Sequence, residues 1–283
     1  MPNPVSRLSR RGFLAAGTVT SAVGGVASKT GPAAPRVTPT ERATTPGSRN
    51  SSLLKLDAKP ETMEIDLAET ALLVVDMQND FAAKGGLVDR LGFDITPIRK
   101  TLGPIATVLA SARAASLPII YLKMGFRPDL SDLGRPNSPN RLGHLQAGVG
   151  KTVRAPSGAE SRILIRDTWN TDIVPELQPH DQDLALYKTR YSGFYQTELD
   201  AILQRQSVKH LVVVGCTTSI CVESTVRDAM FRDYRCLLLR DCMAEVIGHD
   251  LARSNHEASL LVMQMRFGWV SDSEEFIRTL KTA

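Results

Sequence analysis

Ala71-Leu72-Leu73-Val74-Val75-Asp76-Met77-Gln78-Asn79-Asp80-Phe81 opens on five consecutive apolar residues and closes on a polar cluster. A strand with one wet face alternates apolar and polar residues, so an unbroken apolar run fits a strand covered on both faces. Strands of that kind belong to parallel sheets flanked by helices. Asp76 then stands where the strand leaves the sheet, and in open α/β sheets ligands bind beyond the carboxyl ends of the strands.

Outward from this stretch, similar runs occur at Pro118–Leu122, Leu184–Tyr187, Leu211–Val214, Cys236–Leu239 and Phe267–Val270. Between them, Ile98–Ala115, Thr197–Gln206, Ile220–Arg232 and Leu251–Met265 repeat apolar residues at three and four, the helical period. The alternation predicts an α/β fold: a three-layer, Rossmann-like domain with a six-stranded, mainly parallel sheet and helices on both faces. Residues 125–172 break the pattern, being rich in Gly, Pro, Asn and Arg with little periodicity, as lids and binding segments are.

Toward the N-terminus, Ser9-Arg10-Arg11-Gly12-Phe13-Leu14 precedes an uncharged run to Ala27. The 16 residues from Gly12 to Ala27 include four glycines and are too short and too weakly apolar for a spanning helix. They fit a twin-arginine export signal at residues 1–27, cleaved near Gly25-Val26-Ala27 or Ala33-Ala34, so the mature protein is expected outside the cytoplasm, periplasmic or secreted. Residues 28–59, dominated by Pro, Thr, Ser, Ala and Arg, read as a disordered linker, and residues 60–283 as the folded domain.

The formal charge of +4 loses Arg7, Arg10 and Arg11 with the signal, leaving 31 basic against 30 acidic residues. A mature protein near neutrality gives no electrostatic case for nucleic acid or for an anionic membrane as partner. Cys236 and Cys242 flank Leu237-Leu238-Leu239, which if extended holds them far apart. Cys216 and Cys221, five apart, do not match a zinc-ligand spacing. Neither a metal nor a required disulfide is expected.

Three residues at strand ends carry chemical interest. Asp76 could act as general base or merely cap the next turn. Lys188, ending Leu184-Ala185-Leu186-Tyr187, could hold a neighbouring thiolate or carboxylate by charge, or be a solvated strand-end lysine. Cys221, opening the helix after Val212–Ile220, would have its thiolate favoured by the helix dipole, or could be a small buried hydrophobe. An acid, a lysine and a thiol on three strand ends of one sheet make a nucleophile with its activators.

The run Leu72–Phe81, the element Lys188-x-x-x-Ser192-x-Phe194 and the element Gly215-x-Thr217-x-x-x-Cys221-Val222-x-x-Thr225 resemble the three signatures of the isochorismatase-like cysteine hydrolases. The resemblance runs from about Thr70 to the C-terminus. It implies a catalytic triad of Asp76, Lys188 and Cys221, and a cis peptide between Cys216 and Thr217 whose backbone, with the Cys221 N–H, forms an oxyanion hole. Family members usually carry an apolar residue at the position of Cys216. The resemblance further implies a homo-oligomer, dimer or tetramer, acting on a small molecule without a cofactor.

Gly85-Gly86, Gly92-Phe93-Asp94, Ser138-Pro139-Asn140, Arg190–Phe194 and Phe267–Asp272 are similar to ureidoacrylate amidohydrolases, while Gly125–Leu130 and Cys236–Cys242 look more like biuret hydrolases. Both groups attack a carbonyl flanked by nitrogen in a small linear compound, which implies C–N hydrolysis of an amide or ureido substrate. A twin-arginine signal and long linker depart from those cytoplasmic enzymes. The region Tyr121–Asp129 lacks the Asp-x-His element of the metal-dependent nicotinamidases. A non-catalytic binding member of the fold, or a hydrolase of an ester, lactam or vinyl ether, are the competing expectations. Phe81, Tyr191 and Phe194 are candidates to wall the pocket, Gln78, Asn79 and Gln264 to bind amide groups, and Arg127 and Arg190 to read a carboxylate; core packing or a surface place is the alternative for each.

Overall fold

The structure, a computed structural model, describes residues 53–282. The twin-arginine segment at residues 1–27 and most of the 28–59 linker lie outside the described residues. The chain begins with an antiparallel hairpin, β1 (Leu53–Leu56) and β2 (Met63–Asp66), and enters the main sheet at β3 (Thr70–Val75). Short helices α1 (Asn79–Ala82), α2 (Leu87–Arg90) and α3 (Thr96–Lys100) lead to α4 (Leu102–Ala114) and β4 (Ile119–Met124). An insert follows, holding α5 (Pro139–Ala147) and a small hairpin of β5 (Thr152–Arg154) and β6 (Glu160–Arg162). Then come β7 (Leu184–Lys188), α6 (Leu199–Arg205), β8 (His210–Cys216), α7 (Glu223–Met230), β9 (Arg235–Ala244), α8 (Asn255–Arg266), β10 (Trp269–Ser271) and α9 (Ser273–Leu280).

The six strands expected from the apolar runs form one parallel sheet in the order β10-β9-β8-β3-β4-β7. Alternation along β3 splits the core in two: Leu72 and Val74 face one side, Ala71, Leu73 and Val75 the other, all six residues of the strand being buried. The first face is covered by α4, α9 and the β1–β2 hairpin through Ile105, Val108, Phe276, Leu56 and Met63. The second is covered by α6, α7 and α8 through Leu199, Leu203, Val226 and Met263. Helices on both faces of a parallel sheet give the three-layer α/β fold. β7 departs from the expectation of two dry faces, because as an edge strand it leaves Leu184 exposed.

Two regions correct the sequence expectation. Residues 53–59, assigned to a disordered linker, are folded: Leu56 is buried in the core, and Lys59 exchanges both backbone hydrogen bonds with Val270. Four residues per strand are too few for a periodic signal, yet the hairpin covers the β10 edge. The stretch 125–172 is a packed insert with its own core of Phe126, Leu133, Val149 and Ile163–Ile165 against Leu87 and Met124. Asp80, just past β3, ties it down by accepting from the Leu87 and Leu164 N–H groups and from Asn170. Burial pushes the Asp80 carboxyl up to about 6 against the pull of these donors.

Candidate active site

From β3 the chain moves to β4 and β7 on one side, then returns to the other side through β8 and β9. The carboxyl ends of β3 and β8 therefore flank the switch point at which open α/β sheets bind ligands. Asp76 leaves β3 there, Cys216 and Thr217 end β8, and Lys188 ends β7 and reaches across β4. Its Nζ lies 2.7 Å from Asp76 Oδ2, with both residues fully buried. It also meets the Arg190 carbonyl at 3.3 Å and Met124 Sδ at 3.7 Å.

Cys221, buried, closes the set: its thiol interacts with both the Asp76 carboxylate and the Lys188 ammonium. Burial pushes the thiol far above its ordinary value, the Asp76 charge adds to this, and Lys188 opposes it. Burial lowers the Lys188 pKa, but Asp76 and Cys221 more than offset this and raise it. Lys188 is thus held against the Asp76 carboxylate, with the Cys221 thiol beside them kept in its neutral form by burial. Burial raises the Cys221 thiol rather than lowering it, opposite to the direction expected from a helix dipole. The residues around Cys221 make a single π turn, Thr218–Val222, and α7 starts only at Glu223.

The peptide between Cys216 and Thr217 is cis. Ile220 and Val222 N–H groups both donate to the Thr217 carbonyl at 3.2 Å, so the turn curls over the end of β8 with Cys221 between them. Thr225 explains the spacing of the last motif: its hydroxyl donates to the Cys221 carbonyl at 2.7 Å and accepts from the Gly193 N–H at 3.0 Å. It thereby fastens the Cys221 turn to the loop after Lys188. Ser192 adds a second tie, donating to Asp228 of α7 at 2.6 Å.

The isochorismatase domain family matches residues 70–275. The chain belongs to the isochorismatase family. The ureidoacrylate amidohydrolase RutB of Klebsiella pneumoniae is 38% identical over 231 residues, which cover 82% of this chain and 95% of that relative. Among solved structures, a cysteine hydrolase from Pseudomonas syringae superposes with a TM-score of 0.65 at 30% identity, covering 77% of this chain and 95% of the other. N-carbamoylsarcosine amidase from Thermoplasma acidophilum superposes with a TM-score of 0.54 at 26% identity, covering 73% and 98%.

Within this isochorismatase-family site, the residues expected to contact substrate lie in different surroundings. Tyr191 is 44% exposed and lies within electrostatic reach of Cys221 and Lys188. The Gln78 amide bridges two strand ends, accepting from the Met124 N–H at 2.8 Å and donating to the Met124 carbonyl at 2.9 Å. Asn79 donates to the Trp169 carbonyl at 2.7 Å and so anchors the insert. Phe81 packs between the main core and the insert core, and Phe194 is buried against Tyr234. Gln264 lines a separate groove between α8 and the β10 edge that contains no triad residue. Arg190 is turned back onto the Thr189 and Asp132 carbonyls, and Arg127 gives its backbone N–H to Asp132.

His144, overlooked in the sequence, joins the site from α5. Its ring stacks on Tyr191 with centroids 5.9 Å apart, meets Phe126 edge-on, and lies beside the Asn140 carbonyl. Burial first, then the Lys188 and Arg190 charges, lower its pKa, so it is neutral at physiological pH. No spacing motif singles it out. The insert fold alone brings it to Tyr191.

Proposed function

We propose that this protein is a cysteine amidohydrolase that cleaves a C–N bond of a small linear amide or ureido compound. The observation that carries it is the buried Asp76–Lys188–Cys221 set at the switch point, beside a cis Cys216–Thr217 peptide. Asp76 takes the Cys221 proton, sulfur attacks the carbonyl carbon, and backbone N–H groups of the 216–221 turn donate to the oxyanion. Asp76 then gives the proton to the leaving nitrogen. Water, activated by the same carboxylate, hydrolyses the thioester. Lys188 Nζ, 2.7 Å from Asp76 Oδ2, holds the carboxylate in place through the steps.

The substrate class is supported by two relatives whose names share one chemical unit. Ureidoacrylate and N-carbamoylsarcosine both contain a carbonyl between two nitrogens. Ammonia release by the purified protein on ureidoacrylate, biuret, carbamoyl amino acids, nicotinamide and maleamate tests this, with Cys221→Ala as control. Turnover of a ureido compound that falls at least ~10⁴-fold in Cys221→Ala is expected. Turnover that survives the substitution, or is confined to esters, would reject the proposal.

Two further parts rest on the sequence. We infer export by the twin-arginine route, which Arg10→Lys with Arg11→Lys should block in a fractionation assay. The mature protein is inferred to be a homo-oligomer, read out by light scattering.

A further inference from the structure

The turn that carries Cys221 is held from behind by two side chains that take no part in the chemistry above. Thr218 Oγ1 lies 2.8 Å from His256 Nδ1, and Ser219 gives its N–H to Glu245 Oε2 at 2.8 Å and its hydroxyl to the same oxygen. Glu245 is fully buried at the end of β9, its other oxygen accepting from Val246 and Ile247 N–H at 2.9 and 3.0 Å. His256 stands in the first turn of α8, which a capping box of Ser254 and Glu257 fixes in place. The ring also faces the Arg240 carbonyl. That carbonyl calls for an N–H, leaving Nδ1 with a lone pair to accept the Thr218 hydroxyl.

We propose that His256 is a positioning residue: through Thr218, and alongside Glu245 on Ser219, it fixes the 218–222 turn so that Cys221 and the Cys216–Thr217 peptide face the substrate carbonyl together. This rests on the cysteine-hydrolase function proposed above. Thr218 directly follows the cis peptide, and Cys221 lies three residues further on. The Thr218–His256 hydrogen bond therefore bears on the direction of both the oxyanion donors and Cys221, together with the Ser219–Glu245 and Thr225 ties. The π turn runs directly into α7 at Glu223, and π turns are rare and often functional, so its side-chain ties to the end of β9 and to α8 add to the hold that α7 has on it. Burial, opposed by Glu245 and Glu257, keeps the ring neutral, which the accepting role of Nδ1 requires.

The test compares Thr218→Val, His256→Ala, the double variant and His256→Asn, whose side-chain oxygen can stand in for Nδ1. Displacing reacting groups by about an ångström costs on the order of 100-fold in rate. Each of the first two should lose kcat by roughly 10- to 100-fold, with KM and the unfolding midpoint little changed, and the double variant should lose no more than either. His256→Asn should return to within a few-fold of the parent. The rate at which iodoacetamide labels Cys221 at pH 8, followed by mass spectrometry, should fall and recover in the same order. Labelling needs no substrate, so a parent protein inert on both the amide and the ureido compounds of the ammonia-release assay would count against the function proposed above and leave labelling to decide this proposal. Additive losses, a change in KM alone, or labelling equal in all variants would overturn it.

Discussion

Asp76 has φ of 53°, in the left-handed region that Asp and Asn enter more readily than other side chains. The chain turns there at once out of β3, so the carboxylate stays at the strand mouth while Gln78 reaches across to Met124. Asp76→Asn keeps that backbone but leaves Lys188 charged, fully buried and unpaired. Removing one partner of a buried pair costs about 3–5 kcal/mol, so urea unfolding should show a loss of that order together with loss of turnover. Lys188→Met should be similarly costly, for it strands the carboxylate. The double variant should recover most of the stability and none of the activity, with a coupling of roughly 2–3 kcal/mol. Strict additivity would mean that the two groups do not form a coupled pair.

At the scale of elements, the site depends on how closely β8 approaches β3. Gly215 has φ of +121°, and a Cβ there would lie 2.1 Å from the Val75 carbonyl oxygen and 2.7 Å from its nitrogen, both backbone atoms. Gly215→Ala should therefore cost more than about 4 kcal/mol or give no soluble protein. Gly143, inside α5 with nothing within 4 Å of its Cβ position, is the control, and Ala there should gain about 0.5–1 kcal/mol. A soluble, active Gly215→Ala would contradict the close approach. The strands of this sheet were legible because buried parallel strands are written as apolar runs, and the grouping of Asp76, Lys188 and Cys221 because each is a polar or thiol group at or near a strand's carboxyl end. Residues whose role depends on what lies opposite them were not legible. Gln78 reads as an amide free to bind substrate until the Met124 backbone appears beside it. The insert core draws Phe126, Leu133, Val149 and Ile163 from positions with no common period. α9 had a signal that was passed over: Asp272 caps it by accepting from the Glu275 N–H, an acid followed three residues later by Glu.

Across the whole molecule, all four cysteines are free and buried, and burial is the first cause raising each thiol above its ordinary 9.0, Cys236 to about 12. A thiol whose folded pKa is raised favours the neutral form in the native state. Its stabilisation is full below pH 9, where the unfolded chain also keeps its proton, and is lost as pH rises toward the folded value. Lys188, also raised, adds a loss of the same sign above its ordinary 10.5. Each thiol contributes about 1.4 kcal/mol per pH unit once the unfolded form has ionised. Four together give a slope approaching roughly 5 kcal/mol per unit between pH 9 and 10.5, steep enough to unfold a domain of ordinary stability within that window. Urea unfolding of the full chain from pH 8 to 10.5 should show this fall, and Cys236→Val, which touches neither the site nor its hydrogen bonds, should lower the slope by one thiol's share. A flat profile to pH 10.5 would mean that the buried thiols ionise in the native state as easily as in water. That would also remove the reason for Asp76 to act as the base, since Cys221 could then ionise without help.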